Sequence, residues 1–255
     1  MIMPSVVLEA EGLVKRYGGV AALRGTGFQV HAGAVTALIG DNGAGKSTLV
    51  KCLSGAEEPD EGRILLDGEP VRMASPTAAR RLGVETVYQD LAVAPDLDPA
   101  ANLFLGRELF RRGLAGRLGM LDRKTMKSEA AEHFRRLGVT LPRADVPIGA
   151  LSGGQRQTVA VARSVMWASR VVFMDEPTAA LGVVQRERVL DVIRRVRDQG
   201  VAVVLISHNM PEVLAVADRI EVLRLGKRVA RFGSDATLEQ LVGAMTGALT
   251  HEDAV

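Results

Sequence analysis

One stretch constrains this chain more than any other: an apolar run that breaks directly into glycine. "VTALI" (residues 35–39) leads into "GDNGAGKST" (40–48), and the helix-like "STLVKCLSGA" follows. The spacing is G-x-x-x-x-G-K-S, with Gly40, Gly45, Lys46 and Ser47 in the named places. Glycines let the backbone curl so that successive N–H groups point inward at an anion. A helix beginning near Lys46 adds the positive end of its dipole. Lys46 can then reach the β and γ phosphates of a nucleotide, and the Ser47 hydroxyl can ligate Mg²⁺. A glycine-rich turn carrying a surface lysine is the ordinary alternative, but the strand before and the helix after favour a phosphate cradle. A dinucleotide-binding G-x-G-x-x-G is excluded, because the glycine spacing of this loop does not match it.

The rest of the chain fits an α/β architecture. Apolar, strand-like runs recur as "VVLEA" near the start, "RILLDG" (63–68), "VETVY" (84–88), "RVVFMD" (170–175), "VAVVLIS" (201–207) and "IEVLRLGKRVARFG" (220–233). Helical stretches intervene, among them "GVVQRERVLDVIRRVRDQG", with Val189, Val192, Ile193 and Val196 on one face. Strands that are apolar almost throughout and separated by helices imply a mostly parallel sheet covered on both faces. With 255 residues, 47% of them hydrophobic, the chain can bury a substantial core. We read 5–246 as a single domain and 247–255 as a C-terminal tail. Between 98 and 163 the strand-like runs vanish and "KTMKSEAAEHFRRLGV" has helix spacing, so a helical subdomain inserted within the domain is expected there.

Composition removes several classes. The net charge is +2, which gives little reason to expect nucleic acid. No stretch approaches the roughly 20 apolar residues that span a bilayer. The opening "MIMPSVVLEAEG" has no basic n-region and meets charge at Glu9, unlike a secretion signal. The single cysteine, Cys52, excludes an internal disulfide framework and sits among Leu49, Val50 and Leu53 like a small buried hydrophobe. The expectation is a cytoplasmic chain, soluble by itself.

Hydrolysis needs a metal holder and a group that acts on water. "RVVFMDEP" offers Asp175 for Mg²⁺ and Glu176 to polarise the attacking water, at the end of a buried strand as P-loop NTPases arrange them. "LSGGQRQTVAVARSVMWA" repeats the phosphate-site physics without a lysine: Ser152 stands as an N-cap, Gly153 and Gly154 expose amides, and a helix follows. Capping would explain an isolated "SGG". A spare anion site beside a complete one makes sense if it faces the nucleotide of another subunit.

Taken together the set resembles the ATP-binding cassette (ABC) nucleotide-binding domain, over nearly the whole chain and in the expected order. "GDNGAGKST" resembles its Walker A motif, which assigns Gly40, Asn42, Gly43, Ala44, Gly45, Lys46, Ser47 and Thr48 to ATP. "LSGGQ" resembles the signature, adding Ser152, Gly153, Gly154 and Gln155, and "VVFMDEP" resembles Walker B. The resemblance implies a P-loop NTPase fold with an N-terminal antiparallel β subdomain. It makes Tyr17 in "VKRYGGV" the aromatic on adenine, Gln89 in "VYQD" the Q-loop residue and Mg²⁺ ligand, and His208 in "LISHNM" the residue touching the γ-phosphate. An imidazole there can donate to a phosphate oxygen while bridging to Glu176. One residue departs from the pattern: where the family usually has "SALD", this chain has "AALG", with Gly182 in the aspartate's place.

Further detail, in "SPTAARRLGVETVYQDLAVAPDLDPAANLFLGREL", "MDEPTAALG" and "LISHNMPEV", is similar to single-cassette carbohydrate importers of the ribose/fructose/xylose type. That resemblance implies an ATPase acting as a homodimer, with ATP between Walker A of one subunit and the signature of the other. It also implies transmembrane permease partners fed by a sugar-binding protein, and a peripheral place on the cytoplasmic face of the inner membrane. Leu91, Val93, Leu97, Leu103, Phe104 and Leu105 would either receive a short permease helix or form the insert's own core. A soluble regulatory or repair ATPase of the same family stays open as the second class.

Overall fold

The computed structural model describes residues 5–87, 93–141, 144–179 and 181–248. Strands β1 (Val6–Tyr17), β2 (Val20–His31) and β3 (Val35–Gly40) lead into helix α1 (Lys46–Leu53). Next come β4 (Glu61–Leu66), β5 (Glu69–Val71), α2 (Pro76–Arg81) and β6 (Val84–Val87). Helices α3 (Pro99–Leu103), α4 (Leu114–Arg117), α5 (Arg123–Arg136) and α6 (Gly153–Trp167) follow. The chain then runs β7 (Val171–Asp175), α7 (Val183–Asp198), β8 (Ala202–Ile206), α8 (Met210–Val216), β9 (Arg219–Arg224), β10 (Lys227–Gly233) and α9 (Leu238–Thr246).

Two compact units divide the chain. The first gathers the residues up to Thr86, Ala168–Glu176, and those from Ile193 onward; the second comprises Val87–Trp167 and Pro177–Val192. Within the first, an antiparallel four-stranded sheet has the order β2-β1-β4-β5, and a six-stranded sheet has the order β10-β9-β3-β8-β7-β6. β3, β7, β8 and β9 pair in parallel, and only the β9–β10 hairpin at one edge is antiparallel among the pairings described.

Side-chain alternation divides the core of this unit. Leu38 joins Leu8, Leu13, Phe28, Leu49, Leu53, Phe173 and Val204 in one buried cluster, between the antiparallel sheet, α1 and one face of the parallel sheet. Its neighbours Ala37 and Ile39 point the other way, into a cluster with Met210, Val213, Ile220, Val222 and Leu241 under α8 and α9. Cys52 is fully buried in the first cluster, as its apolar neighbours suggest.

Two strands were not evident from hydropathy. β2 reads "VAALRGTGFQVH", interrupted by arginine and glycine, yet pairs with β1 over its whole length. Its signal was the "GG" between Tyr17 and Val20, which face each other across a two-residue turn with Gly18 at φ +58°. The short β5 pairs with β4 beyond a second tight turn, Asp67–Gly68. The single run expected at 220–233 is a hairpin, β9 and β10, folded at Leu225 and Gly226, both at positive φ.

In the second unit α5 buries Met126, Ala130 and Phe134, spaced four apart along one stripe. Trp167 donates its Nε1–H to the Leu103 carbonyl (2.9 Å), meets Phe104 edge-on at 5.7 Å, and carries the Arg107 guanidinium over its ring at 4.7 Å. Leu103 and Phe104 are wholly inaccessible, so these two belong to the core and not to a docking face. Leu97 and Leu105 remain more than a third exposed. Leu91 lies outside the described residues.

Candidate functional site

Three neighbouring parallel strands set the stage. Leu38 on β3 and Asp175 on β7 both stand level with Ile206 on β8, so the three chains leave the sheet side by side. Residues just beyond these carboxyl ends share one edge, where open α/β sheets place ligands. Here that edge receives Gly40 and its loop, Glu176, and Ser207 with His208.

The loop after β3 is built by close approach. Gly45 has φ +104° and serves as N-cap of α1 with no side-chain cap; a β-carbon there would lie 2.6 Å from the Ala22 carbonyl oxygen of β2. At Gly40 a β-carbon would run into the Leu223 carbonyl. No larger residue fits either place without moving a strand. Lys46 folds its Nζ back to the carbonyls of Gly40 (2.7 Å) and Asp41 (3.0 Å), so the ammonium caps the loop from inside. Burial pushes its pKa down, opposed by the carboxylates of Glu176, Asp41 and Asp175. Asn42, Gly43 and Ser47 are exposed, Ala44 is buried, and Thr48 is half-buried beside Tyr17.

Asp175 is the last residue of β7, and its carboxyl pKa is raised by burial and by Glu176, against the Lys46 ammonium. Glu176 has φ +49°, a left-handed backbone unusual for a residue with a side chain. Its N–H donates to Ile206 O (2.9 Å), which stitches the turn to β8. The strained turn aims the carboxylate at His208: Oε1 accepts the His208 backbone N–H at 3.1 Å and lies 2.8 Å from Nδ1. The glutamate side chain is 17% exposed and the histidine 77%, so the ring is held at one nitrogen and presents the other outward.

Tyr17 ends β1, with its hydroxyl on the Glu57 carboxylate and Lys15 Nζ 5.9 Å from its ring centre. Burial and Glu57 raise its pKa to about 12, partly offset by Thr48, so it is a neutral phenol, and the residue is 44% exposed. Glu57 had no motif to announce it; Asp41, inside the glycine–lysine motif, gives Lys46 a carbonyl and a nearby carboxylate.

Ser152, Gly153, Gly154 and Gln155 belong to the second unit and start α6 with a reciprocal cap. Ser152 N–H donates to Gln155 Oε1 (2.9 Å), and Gln155 N–H donates to Ser152 Oγ (3.3 Å). Gly182 supplies the carbonyl that accepts Arg186 N–H (3.0 Å), which makes it the N-cap residue of α7. Gln89 lies outside the described residues.

The donor set fits a magnesium–polyphosphate. The loop is an uncapped helix start with a lysine inside it, and bulk at Gly40 or Gly45 would close it. Among the described residues no group of three or more His, Cys, Asp or Glu could hold a metal. Ser47 and Asp175 could supply two oxygens, and Mg²⁺ characteristically completes its shell with substrate phosphates and water.

Fold and site together define a P-loop nucleotide-binding cassette. A nucleotide-free ATP-binding cassette from an ABC transporter superposes with TM-score 0.79 at 24% identity, over 94% of this chain and 95% of that one. The ADP conformation of another such cassette gives 0.78 at 24%, over 96% of each. Residues 23–179 match the family described as ABC transporter, and the chain belongs to that family. It is 51% identical to the fructose import ATP-binding protein FrcA of Rhizobium meliloti, over 95% of this chain and 94% of that protein. It is 42% identical to the xylose/arabinose import ATP-binding protein XylG of Sulfolobus acidocaldarius, over 95% and 94%. A ribose import ATP-binding protein of Rubrobacter xylanophilus is 44% identical over 94% of this chain, which spans only 47% of that longer protein.

Proposed function

We propose that this chain is the ATP-hydrolysing subunit of a membrane importer for a monosaccharide, working as a homodimer. The observation that carries the hydrolytic reading is the Glu176–His208 pair, held 2.8 Å apart at the strand edge that also carries the Lys46 loop. Loop amides and Lys46 bind and orient the phosphates, and Tyr17 offers its ring to adenine. Ser47 and Asp175, with Gln89, hold Mg²⁺, which neutralises phosphate charge during transfer. The Glu176 carboxylate polarises the attacking water, while His208, held on its Oε1, keeps it aimed and donates from its outward nitrogen to the γ-phosphate. Preorganised charge of this kind supplies most of the catalysis in phosphoryl transfer.

Ser152–Gln155 then act on the nucleotide of the partner subunit. The import reading rests on relatives named for fructose, xylose/arabinose and ribose import, two of which this chain spans almost completely. From the same relatives we assign transport to separate permease subunits, fed by a sugar-binding protein, with this chain peripheral on the cytoplasmic face; no helix among the described residues is long and apolar enough to cross a membrane. The helical insert (98–163) is the proposed docking part, through the groove lined by Leu97, Ala101, Leu105 and Met126.

Glu176→Gln tests the proposal. It keeps Mg²⁺ ligation and removes the water-polarising charge, so turnover falls by about 100-fold or more, the range seen when one catalytic electrostatic group is removed. ATP stays bound, and gel filtration with ATP and Mg²⁺ shows a dimer. Parental turnover in this variant would remove Glu176 from the mechanism. Failure of the unmodified chain to associate with any membrane permease would favour a soluble regulatory ATPase.

A further inference from the structure

Two glycines 28 positions apart are pressed by one side chain. A β-carbon at position 154 would lie 2.5 Å from Cγ and 2.9 Å from Cβ of Gln185, and one at position 182 would lie 2.7 Å from Gln185 Oε1. Comfortable carbon contacts begin near 3.5 Å, so Gly154 is needed for the close approach of the Gln185 stem, while at Gly182 the neighbour is the flexible amide end of the same side chain. Neither has a positive φ, so backbone freedom is not what they supply. Gly182 is informative because local chemistry argues against it. As N-cap of α7 it would be bettered by serine or aspartate, whose oxygens would accept an N–H of the first turn. The Gln185 amide oxygen occupies the space such an oxygen would need.

What Gln185 touches at its other end is the opening of α6, a helix that begins with two consecutive glycines. Glycine is the poorest helix former after proline, so a first turn "GG" frays unless it is held from outside. The Ser152–Gln155 cap is one restraint, and the Gln185 stem on Gly154 is a second. We infer that Gln185 is a positioning residue: wedged between Gly154 and Gly182, it fixes the first turn of α6 to the segment that leaves Glu176. This rests on the ATPase reading above, in which the amides of that turn must be aimed to a fraction of an ångström.

Amide hydrogen exchange at residues 153–155 and steady-state ATP turnover, both on the full chain, test it. Gln185→Ala should speed exchange at those amides about tenfold and lower kcat about fivefold, coupling of the size found for residues in contact. KM for ATP stays unchanged, because the Lys46 loop is untouched. Gln185→Met keeps the stem and should restore both readouts to within about twofold of the parent, as volume-conserving swaps do. Gly182→Ser improves the cap yet displaces Gln185, so it should reproduce the Gln185→Ala defect and add nothing in that background. Unchanged exchange in Gln185→Ala, or additive effects of the two substitutions, would overturn the wedge. A parent protein with no ATP turnover would instead sink the ATPase reading, and the exchange data would still decide the wedge.

Discussion

The two glycine-rich helix starts resemble each other in sequence and differ in physics. At Gly40–Ser47 the loop has no side-chain cap, Gly40 and Gly45 are jammed against strand backbone, and Lys46 is its internal counter-charge. At Ser152–Gln155 serine and glutamine exchange hydrogen bonds, a β-carbon at Gly153 would meet open space, and Gly154 is pressed by a side chain, Gln185, and not by strand backbone. A helix start left uncapped and sterically locked is prepared for an external anion. One capped by its own side chains is a stable surface feature that must trade those bonds to bind anything. The same residue types therefore give a rigid, uncapped loop in one unit and a self-capped one in the other, which on the proposed function are a preformed and a conditional site.

Lys46→Ala probes the contrast with the largest effect. It removes the loop's internal cation while leaving its backbone restrained, so ATP affinity by titration calorimetry should fall about 100-fold or more, the loss of one or two charge-assisted hydrogen bonds. Melting should be nearly unchanged. Equal affinity in the variant would end the claim that this loop is the preformed site. A pair of alanine substitutions comes next. Gly45→Ala places a β-carbon against the Ala22 carbonyl at a positive φ and should cost about 2–4 kcal/mol in denaturant unfolding. Gly153→Ala meets nothing and should be neutral or stabilising by up to about 1 kcal/mol. Similar costs at both positions would erase the distinction.

The pH dependence of metal binding gives a smaller, graded effect on the first region only. Burial and Glu176 raise the Asp175 pKa, so this carboxyl takes up a proton at higher pH than an exposed aspartate. Mg²⁺ binds the ionised form. Mg²⁺-dependent nucleotide affinity should therefore weaken as pH falls through that raised pKa, by up to about tenfold per unit. The Asp175→Asn variant should lose that dependence; a profile it shares with the parent assigns the proton elsewhere. Smallest of all, Ser152→Ala breaks the reciprocal cap and should cost about 1 kcal/mol of stability without changing ATP affinity at Lys46. A large affinity loss in Ser152→Ala would mean that the two starts are not independent.

Local signals carried much of this structure. Fully buried strands write themselves as unbroken apolar runs, so β3, β7 and β8 were visible, and the glycine–lysine pattern between β3 and α1 marked a candidate phosphate loop. α5 and α7 were legible because their buried residues recur at helical spacing. β2 was not, because a strand with one face toward solvent tolerates "LRGTG", and what holds it is pairing with β1, which no window of hydropathy contains. Leu103 and Phe104 could have faced a partner or the interior; burial against Trp167 decided it. The 2.8 Å approach of Glu176 to His208 joins residues 32 apart, and it follows from the parallel register of β7 on β8 and from a left-handed backbone at Glu176. The sequence by itself determined which residues could bind phosphate, since loop curvature and helix starts are local. The tertiary structure alone decided which groups meet and why Gly154 has no room for a side chain, since those distances depend on chain segments packed together from far apart.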